Sequence, residues 1–277
     1  MARVRWVKSL EQVKRDAERS PEFLSSTVRS LRVVYETSPA LAAAVVPKPL
    51  VANARGEVCA TLSHVAMHIT PEYTLEIGSA VFGVRASYDG VEGIWLLTMP
   101  MTSEQAVIGG RETYGEPKKI AQIDFAKNGR EVSAVVQRMG IAYLEARGTL
   151  HEALGPRELT EHAYCVKALP ACEKGKGLDG EPLLVRLEWQ HQHTQVHRVE
   201  GELNLRESPF DPVADLPVRR IVRMEYEEGT TQSNGRVLRP IPAEWLLPFL
   251  HQRYDDPQAE GIEIAIARDA GRPRAGD

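Results

Sequence analysis

Cysteine is scarce, with three residues (Cys59, Cys165 and Cys172) in 277. These are too few and too scattered for a disulfide framework or a four-ligand zinc site. An excess of one charge is also missing. Thirty-four Lys+Arg face 38 Asp+Glu for a formal net charge of −4, which advertises no nucleic acid or other polyanion as partner. No window approaches the roughly 18 consecutive apolar residues of a spanning helix, so no membrane is expected. The opening stretch MARVRWVKSLEQVKRD is basic but lacks an apolar core of about 7–15 residues and a small-residue cleavage site, so no export signal is read. Internal repeats and long linkers are absent as well. What is left is a soluble, cytoplasmic chain of ordinary globular composition, 43% hydrophobic and 26% charged, expected to fold as one domain.

What is present is a succession of strand patterns. Residues 8–19 read as a polar helix with a weak apolar stripe (Leu10, Val13, Ala17), an arm that would pack on a neighbour. A strand is predicted over 27–37, then a short helix with Ser38 as N-cap and Pro39 at its first position, stopped by Pro47 and Pro49. Further strands are predicted over 58–69, 73–86, 93–99, 120–126, 131–137, 141–150, 183–192 and 196–206, with turn signals at 88–90, 127–130 and 138–140. Helices are expected over 102–113 and 242–254, the latter kinked at Pro248. This pattern is α+β, mainly β, a barrel or sandwich with a few flanking helices. The segment after residue 255 reads as a C-terminal extension whose last ten residues are disordered.

Several chemistry-bearing patterns carry little. Residues 175–180 spell G-x-G-x-x-G, but a strand follows where a dinucleotide site needs a helix, so the segment reads as a mobile loop. His191 and His193 share a strand face and His197 follows, yet no carboxylate sits at a matching position, which favours exposed or interface histidines over a metal site. His64 and His68 are read likewise. Cys165 and Cys172 read as buried fillers, and no cofactor or metal is expected.

One segment is specific: Gly110-Arg111-Glu112-Thr113-Tyr114-Gly115-Glu116-Pro117-Lys118-Lys119-Ile120-Ala121. Its helix would start in a capping box of Thr102 and Gln105 and end at Gly115 as C′ residue. Pro117 forces Glu116 extended, and a strand begins at Lys118. A lysine is thereby fixed at a rigid helix-to-strand junction. GRExxGxPKK resembles the signature of the acetoacetate decarboxylase family. VVYET at 33–37, VVPKPL at 45–50, AMH at 66–68, Tyr73-Thr74 with Glu76, VEGIWLLTMPM at 91–101 and DLPVRRIV at 215–222 follow in the family's order. The resemblance spans roughly residues 20–255.

The resemblance implies a β-rich, cone-like barrel, commonly in a homo-oligomer, acting without cofactor on a small keto acid. Lys118 would form a Schiff base with the ketone, and the charge of Lys119 would help depress the nucleophile's pKa. A free lysine with pKa about 10.4 is almost wholly protonated at neutral pH and cannot attack a carbonyl. Acetoacetate decarboxylase is itself a standard example of a desolvated nucleophilic lysine. Adjacent strand residues point to opposite faces, so desolvation is expected to supply the larger share of the shift and Lys119 the smaller. The resulting iminium could lose carbon dioxide from a β-keto acid, or, formed from pyruvate, add as its enamine to an aldehyde with loss of water. Reversible carbonyl binding without turnover is a third reading.

The family's arginine and two glutamates are carried over as follows. Glu76 corresponds to the second glutamate in a setting one residue looser, Tyr-Thr-x-Glu. The first is absent, its place held by Ser63, and His64 beside it is a candidate proton donor. Arg29 falls one residue out of register when Tyr35 is the anchor, with Arg32 a less natural substitute. Arg111 and Glu112 could lock the turn as an ion pair or contact substrate, and Tyr114 could bond a substrate oxygen or pack in the core. Met67 and Trp95 are expected to provide apolar packing, with a pocket wall as one place for it.

Overall fold

The computed structural model describes residues 4–19, 24–70 and 72–266. In chain order its elements are α1 (Leu10–Arg19), β1 (Leu24–Glu36), α2 (Pro39–Ala44), β2 (Val51–Ala52), β3 (Glu57–Thr70), β4 (Tyr73–Tyr88), β5 (Val91–Met101) and α3 (Glu104–Tyr114). They continue as β6 (Lys118–Ile120), β7 (Gln122–Asn128), β8 (Glu131–Arg138), β9 (Ile141–Ala153), β10 (Arg157–Lys167), β11 (Leu183–Leu205), β12 (Arg220–Pro240) and α4 (Ala243–Leu250). A 3-10 turn, His251–Tyr254, prolongs α4, in which Pro248 stands. The expected disorder of the last ten residues lies outside the described residues. Among the described residues no helix is long and apolar enough to cross a membrane.

The predominantly β class agrees with the sequence pattern, and the turns fall where expected. Asp89 and Gly90 (φ 51 and 75°), like Met139 and Gly140 (φ 48 and 80°), adopt the left-handed pair that joins twisted antiparallel strands in two residues. The hydrogen-bonded path β10-β5-β4-β3-β1-β12-β11 returns to its start, because β10 pairs with β11 as well as with β5. The β5–β10 pairing that closes it is parallel and short, Ala163 with Ile94 and Tyr164 with Trp95. From β11 a second layer, β9-β8-β7, continues outward. The predicted strands 183–192 and 196–206 are therefore one strand. Its first half pairs with β10 and its second with β9, across an irregularity between His193 and Gln195.

Two central strands, β10 and β12, were not anticipated. β12 reads RIVRMEYEEGTTQSNGRVLRP, where the apolar-in, polar-out rule fails because the inward face is itself polar. Met224 and Tyr226 pack in the outer core while Glu225 and Glu227, both buried, point the other way.

Side-chain alternation along β1 sets the two faces. Leu31, Val33 and Tyr35 belong to an outer core that includes Val58, Ala60, Phe82, Val136 and Leu144. Val34 belongs to an inner cluster with Cys59, Ile77, Ile94, Met99, Ala163, Cys165 and Leu187. Each large apolar side chain buried in these cores contributes about 1.5–3 kcal/mol. The fully buried Tyr35 satisfies its hydroxyl by donating to the Leu216 carbonyl at 2.7 Å. Both expected apolar contacts form, Trp95 in a third cluster with Leu50 and Ile241 and Met67 on the inner cluster. Cys59 and Cys165 are buried, but Cys172 is exposed, against expectation. Residues 175–180 form a loop rather than a strand-to-helix turn, with Gly175, Gly177 and Gly180 all at positive φ.

Candidate active site

α3 starts one residue later than its predicted cap. Ser103 accepts the Ala106 amide at 3.4 Å, whereas the Thr102 hydroxyl accepts the Gly78 amide at 2.9 Å and ties the helix start to β4. At the other end Gly115 takes the predicted left-handed conformation (φ 78°). Its amide donates to the Arg111 carbonyl at 3.0 Å and the Glu116 amide to that of Gly110 at 3.3 Å, closing the last turn. A side chain at 115 would also strike the β10 backbone at Val166 and Lys167. Pro117 follows, and β6 runs parallel to β5 with Lys118 opposite Met99 and Lys119 opposite Pro100.

Register partners share a face, so Lys118 points with Met99 toward the inner cluster. Its side chain, 14% exposed, lies over Gly110, and its Nζ stands 2.8 Å from Glu116 Oε2, on a side chain 6% exposed. A Cβ at position 110 would collide with both the Glu116 carboxylate and Lys118 Nζ. Three features thus seat the amine: a helix residue without a side chain, a left-handed glycine and a proline. Arg111 donates to the Lys118 carbonyl at 2.9 Å and to that of Arg253 at 3.3 Å, and its guanidinium lies over the Tyr254 ring. Arg253 in turn donates to the carbonyls of Val166 (2.6 Å) and Gly115 (2.9 Å). Arg111 is thus engaged with backbone and a ring rather than in the Glu112 ion pair considered from sequence. The Tyr114 ring packs against the inner cluster, where Gly235 of β12 leaves it room. Burial, followed by the Glu116 charge, raises its phenol pKa.

Lys119 lies where strand alternation places it, away from Lys118. It points to the other face, 4% exposed, and donates to the Phe210 carbonyl at 2.8 Å and to Asp211 at 3.2 Å, with Asp255 at 2.8 Å. Arg138 bonds the same two carboxylates. Two cations against two anions neutralise this cluster locally, which leaves Lys119 little field to impose on its neighbour. The charged group beside Lys118 is Glu116.

Arg29, His64 and Glu76 come together, but with one another. Arg29 donates to His64 Nδ1 at 3.3 Å, and His64 Nε2 stands 3.0 Å from Glu76 Oε2. They line an open groove with Thr27, Gln195 and Glu228. Arg29 alternates with Leu31 and Val33, and His64 with Leu62, so all three residues lie on the outer face, opposite Lys118. For Glu76 the extra residue in Tyr-Thr-x-Glu accounts for this, since a one-residue slip flips a strand side chain to the other face. Leu75 and Met67 pack on the inner cluster instead, and Ser63 bonds Ser30 at 2.7 Å.

Of the two candidate arginines, the inward one is Arg32. It donates to both Glu161 oxygens at 2.8 and 2.9 Å and to Glu227 Oε2 at 3.1 Å. Burial alone would lower the guanidinium's pKa, but the two carboxylates outweigh it and raise it; Arg32 conversely holds both carboxyls below their usual range against burial. His191 and His193 flank this network, with Nε2 atoms 3.9 Å from Glu161 and 3.8 Å from Glu227. His193 is buried and His191 half-buried, neither of them exposed, and desolvation, aided by Arg32, pushes His191 down to about 4. Among the described residues no group of three or more His, Cys, Asp or Glu side chains is placed to hold a metal ion. Glu161, Ala163 and Cys165 face inward in succession along β10, which sets the Arg32 network about 13 Å from the lysine end. Glu161 escaped sequence reasoning because its strand did; Arg32 was detectable by parity, an odd number of residues from Tyr35.

The sequence profile of the family described as acetoacetate decarboxylase (ADC) matches residues 12–240. The chain belongs to that family. Among curated relatives, an acetoacetate decarboxylase of Paraburkholderia phytofirmans is 27% identical over 214 residues, covering 71% of this chain and 77% of the relative. One of Clostridium acetobutylicum is 28% identical over 209 residues, covering 70% and 79%. The fold is shared with solved structures at lower identity. The acetoacetate decarboxylase of Legionella pneumophila superposes with a TM-score of 0.67 at 16% identity, covering 86% of this chain and 99% of that one. The enduracididine biosynthesis enzyme MppR, complexed with the condensation product of pyruvate and imidazole 4-carboxaldehyde, does so at 0.67 and 15%, covering 79% and 90%. Family membership supports a lyase of the acetoacetate decarboxylase type.

Proposed function

We propose that the protein is a Schiff-base-forming carbon–carbon lyase acting on a small keto acid, with Lys118 as nucleophile. The observation that carries this reading is the seat of Lys118, the first lysine of the motif that resembles the family's, 14% exposed over Gly110 on the face it shares with Met99. The amine adds to the ketone, water leaves, and the iminium draws electrons from the neighbouring carbon–carbon bond. From a β-keto acid this releases carbon dioxide and an enamine, which is protonated and hydrolysed to the ketone. Similarity to the curated decarboxylases supports this outcome.

A second outcome, condensation of pyruvate with an aldehyde followed by dehydration, is favoured by one observation. The inner face carries Ser63 and Leu75 near the lysine strand's neighbours, and Glu76 lies outside. The carboxylates implied by the decarboxylase resemblance are thus missing inside, and the fold neighbour MppR holds a pyruvate–aldehyde product. Incubation with acetoacetate, and separately with pyruvate plus an aromatic aldehyde, tests the reading. Carbon dioxide release supports the first outcome and a new conjugated chromophore the second. Imine trapping with neither product leaves carbonyl binding, and no trapping overturns the proposal. A homo-oligomer is part of this reading: Trp6, 99% exposed, and Leu10 on α1 gain cover in an assembly, which light scattering would detect.

A further inference from the structure

We propose that Glu116 is a catalytic residue of this site, the proton partner of Lys118 during imine formation and hydrolysis; this rests on the Schiff-base reading above. Glu116 Oε2 is buried and takes no hydrogen bond of good geometry among the described residues, and what faces it is Lys118 Nζ at 2.8 Å. The backbone that carries the carboxylate is held in place. The amide of Glu116 is fixed to the Gly110 carbonyl, its own carbonyl accepts the Lys118 amide at 2.8 Å, and Pro117 restricts its torsions. Gly110 provides the space in which carboxylate and amine meet.

The pair solves the problem that Lys119, turned away and neutralised, does not. An ammonium beside a carboxylate and an amine beside a carboxylic acid carry the same net charge, so a proton passing from Nζ to Oε2 changes nothing in the site's total. Exclusion of water by a bound ligand penalises the charge-separated form more than the neutral one and drives that transfer. One proton movement then yields both a nucleophile and an acid. The amine lone pair attacks the carbonyl carbon to form the C–N bond, and the oxygen takes up a proton while nitrogen loses one. Glu116 next protonates the carbinolamine hydroxyl, the C–O bond breaks, water leaves and the nitrogen pair forms the C=N bond. Hydrolysis retraces these steps, with Glu116 as base toward the incoming water. Each proton given is recovered, and no further reactant is needed.

The test is the rate of adduct formation with acetoacetate or pyruvate under cyanoborohydride, read by intact mass across pH, in wild type, Glu116→Gln and Glu116→Asp. Glutamine keeps the shape but cannot transfer the proton, and its rate is expected to fall by about 10²-fold or more, with loss of the pH dependence due to the carboxylate. Aspartate is expected to retain an intermediate rate and the wild-type profile shape. Equal rates and profiles in wild type and Glu116→Gln overturn the assignment while leaving the lysine reading intact. Absence of any adduct in wild type overturns both. Should Glu116→Gln not fold, Glu116→Asp decides: an unchanged rate at every pH contradicts the role.

Discussion

Lys118 and Lys119 are adjacent in sequence and occupy opposite electrostatic settings. Lys119 is enclosed by Asp211, Asp255 and a carbonyl, and Arg138 completes a balanced set of charges. Lys118 faces one carboxylate and an apolar interior. The first arrangement fixes the strand to the segment around 211 and to the turn at 255. The second leaves an amine with a single proton acceptor. Alternation along a strand, not proximity along the chain, decides which groups share an environment.

Removing each lysine should sharpen that contrast. Lys118→Ala is expected to abolish both turnover and reductive trapping with the fold retained by circular dichroism; residual trapping at another residue would break it. Lys119→Met leaves buried carboxylates underpaired and should cost about 3–5 kcal/mol in denaturant unfolding, while the folded fraction still traps a keto acid at Lys118. Loss of trapping in a well-folded Lys119→Met protein would restore a direct electrostatic role for that residue.

The polar network at the far end of the inner face predicts a pH effect. His191 stays neutral in the folded state down to about 4, whereas an unfolded histidine takes up its proton near 6.5. The unfolded state therefore binds more protons between those values, and stability falls as pH drops, by up to roughly 1.4 kcal/mol per pH unit. The groups around it are Arg32 on β1, Glu161 on β10, His193 on β11 and Glu227 on β12. Glu161 and Glu227, held low by Arg32, stay ionised in the fold at pH values where the unfolded chain protonates them, and so extend the decline at more acidic pH. His191→Gln should flatten the unfolding midpoint between pH 6.5 and 4, and an unchanged slope would assign it elsewhere.

Two smaller effects complete the comparison. Gly110→Ala puts a methyl group against Glu116 and Lys118 Nζ and should slow trapping about tenfold, equivalent to roughly 1.4 kcal/mol, with little change in unfolding. Glu76→Gln, on the outer face and 61% exposed at its side chain, should alter turnover by less than about threefold.

Much of this was legible in the residues. The hairpin turns, the β-rich class and the glycine-closed helix that delivers Lys118 all follow from local chemistry, as does the opposition of the two lysines. Two parts were not. β10 and β12 carry Glu161, Glu225 and Glu227 at inward positions, so they lack the apolar alternation that marks a half-buried strand. Glu76, Arg29 and His64 were paired with the lysine by order along the chain, which does not register a one-residue slip. Parity counted from Tyr35 already places Arg29 with the outer core and Arg32 inside.

The most direct test of the account is peptide mapping of the protein after borohydride reduction in the presence of acetoacetate and, in a second sample, pyruvate. A single adduct of the keto acid or its decarboxylated ketone is expected on Lys118, with Lys119 unmodified. Modification at Lys119, a scatter over exposed lysines, or no adduct with either compound would contradict it.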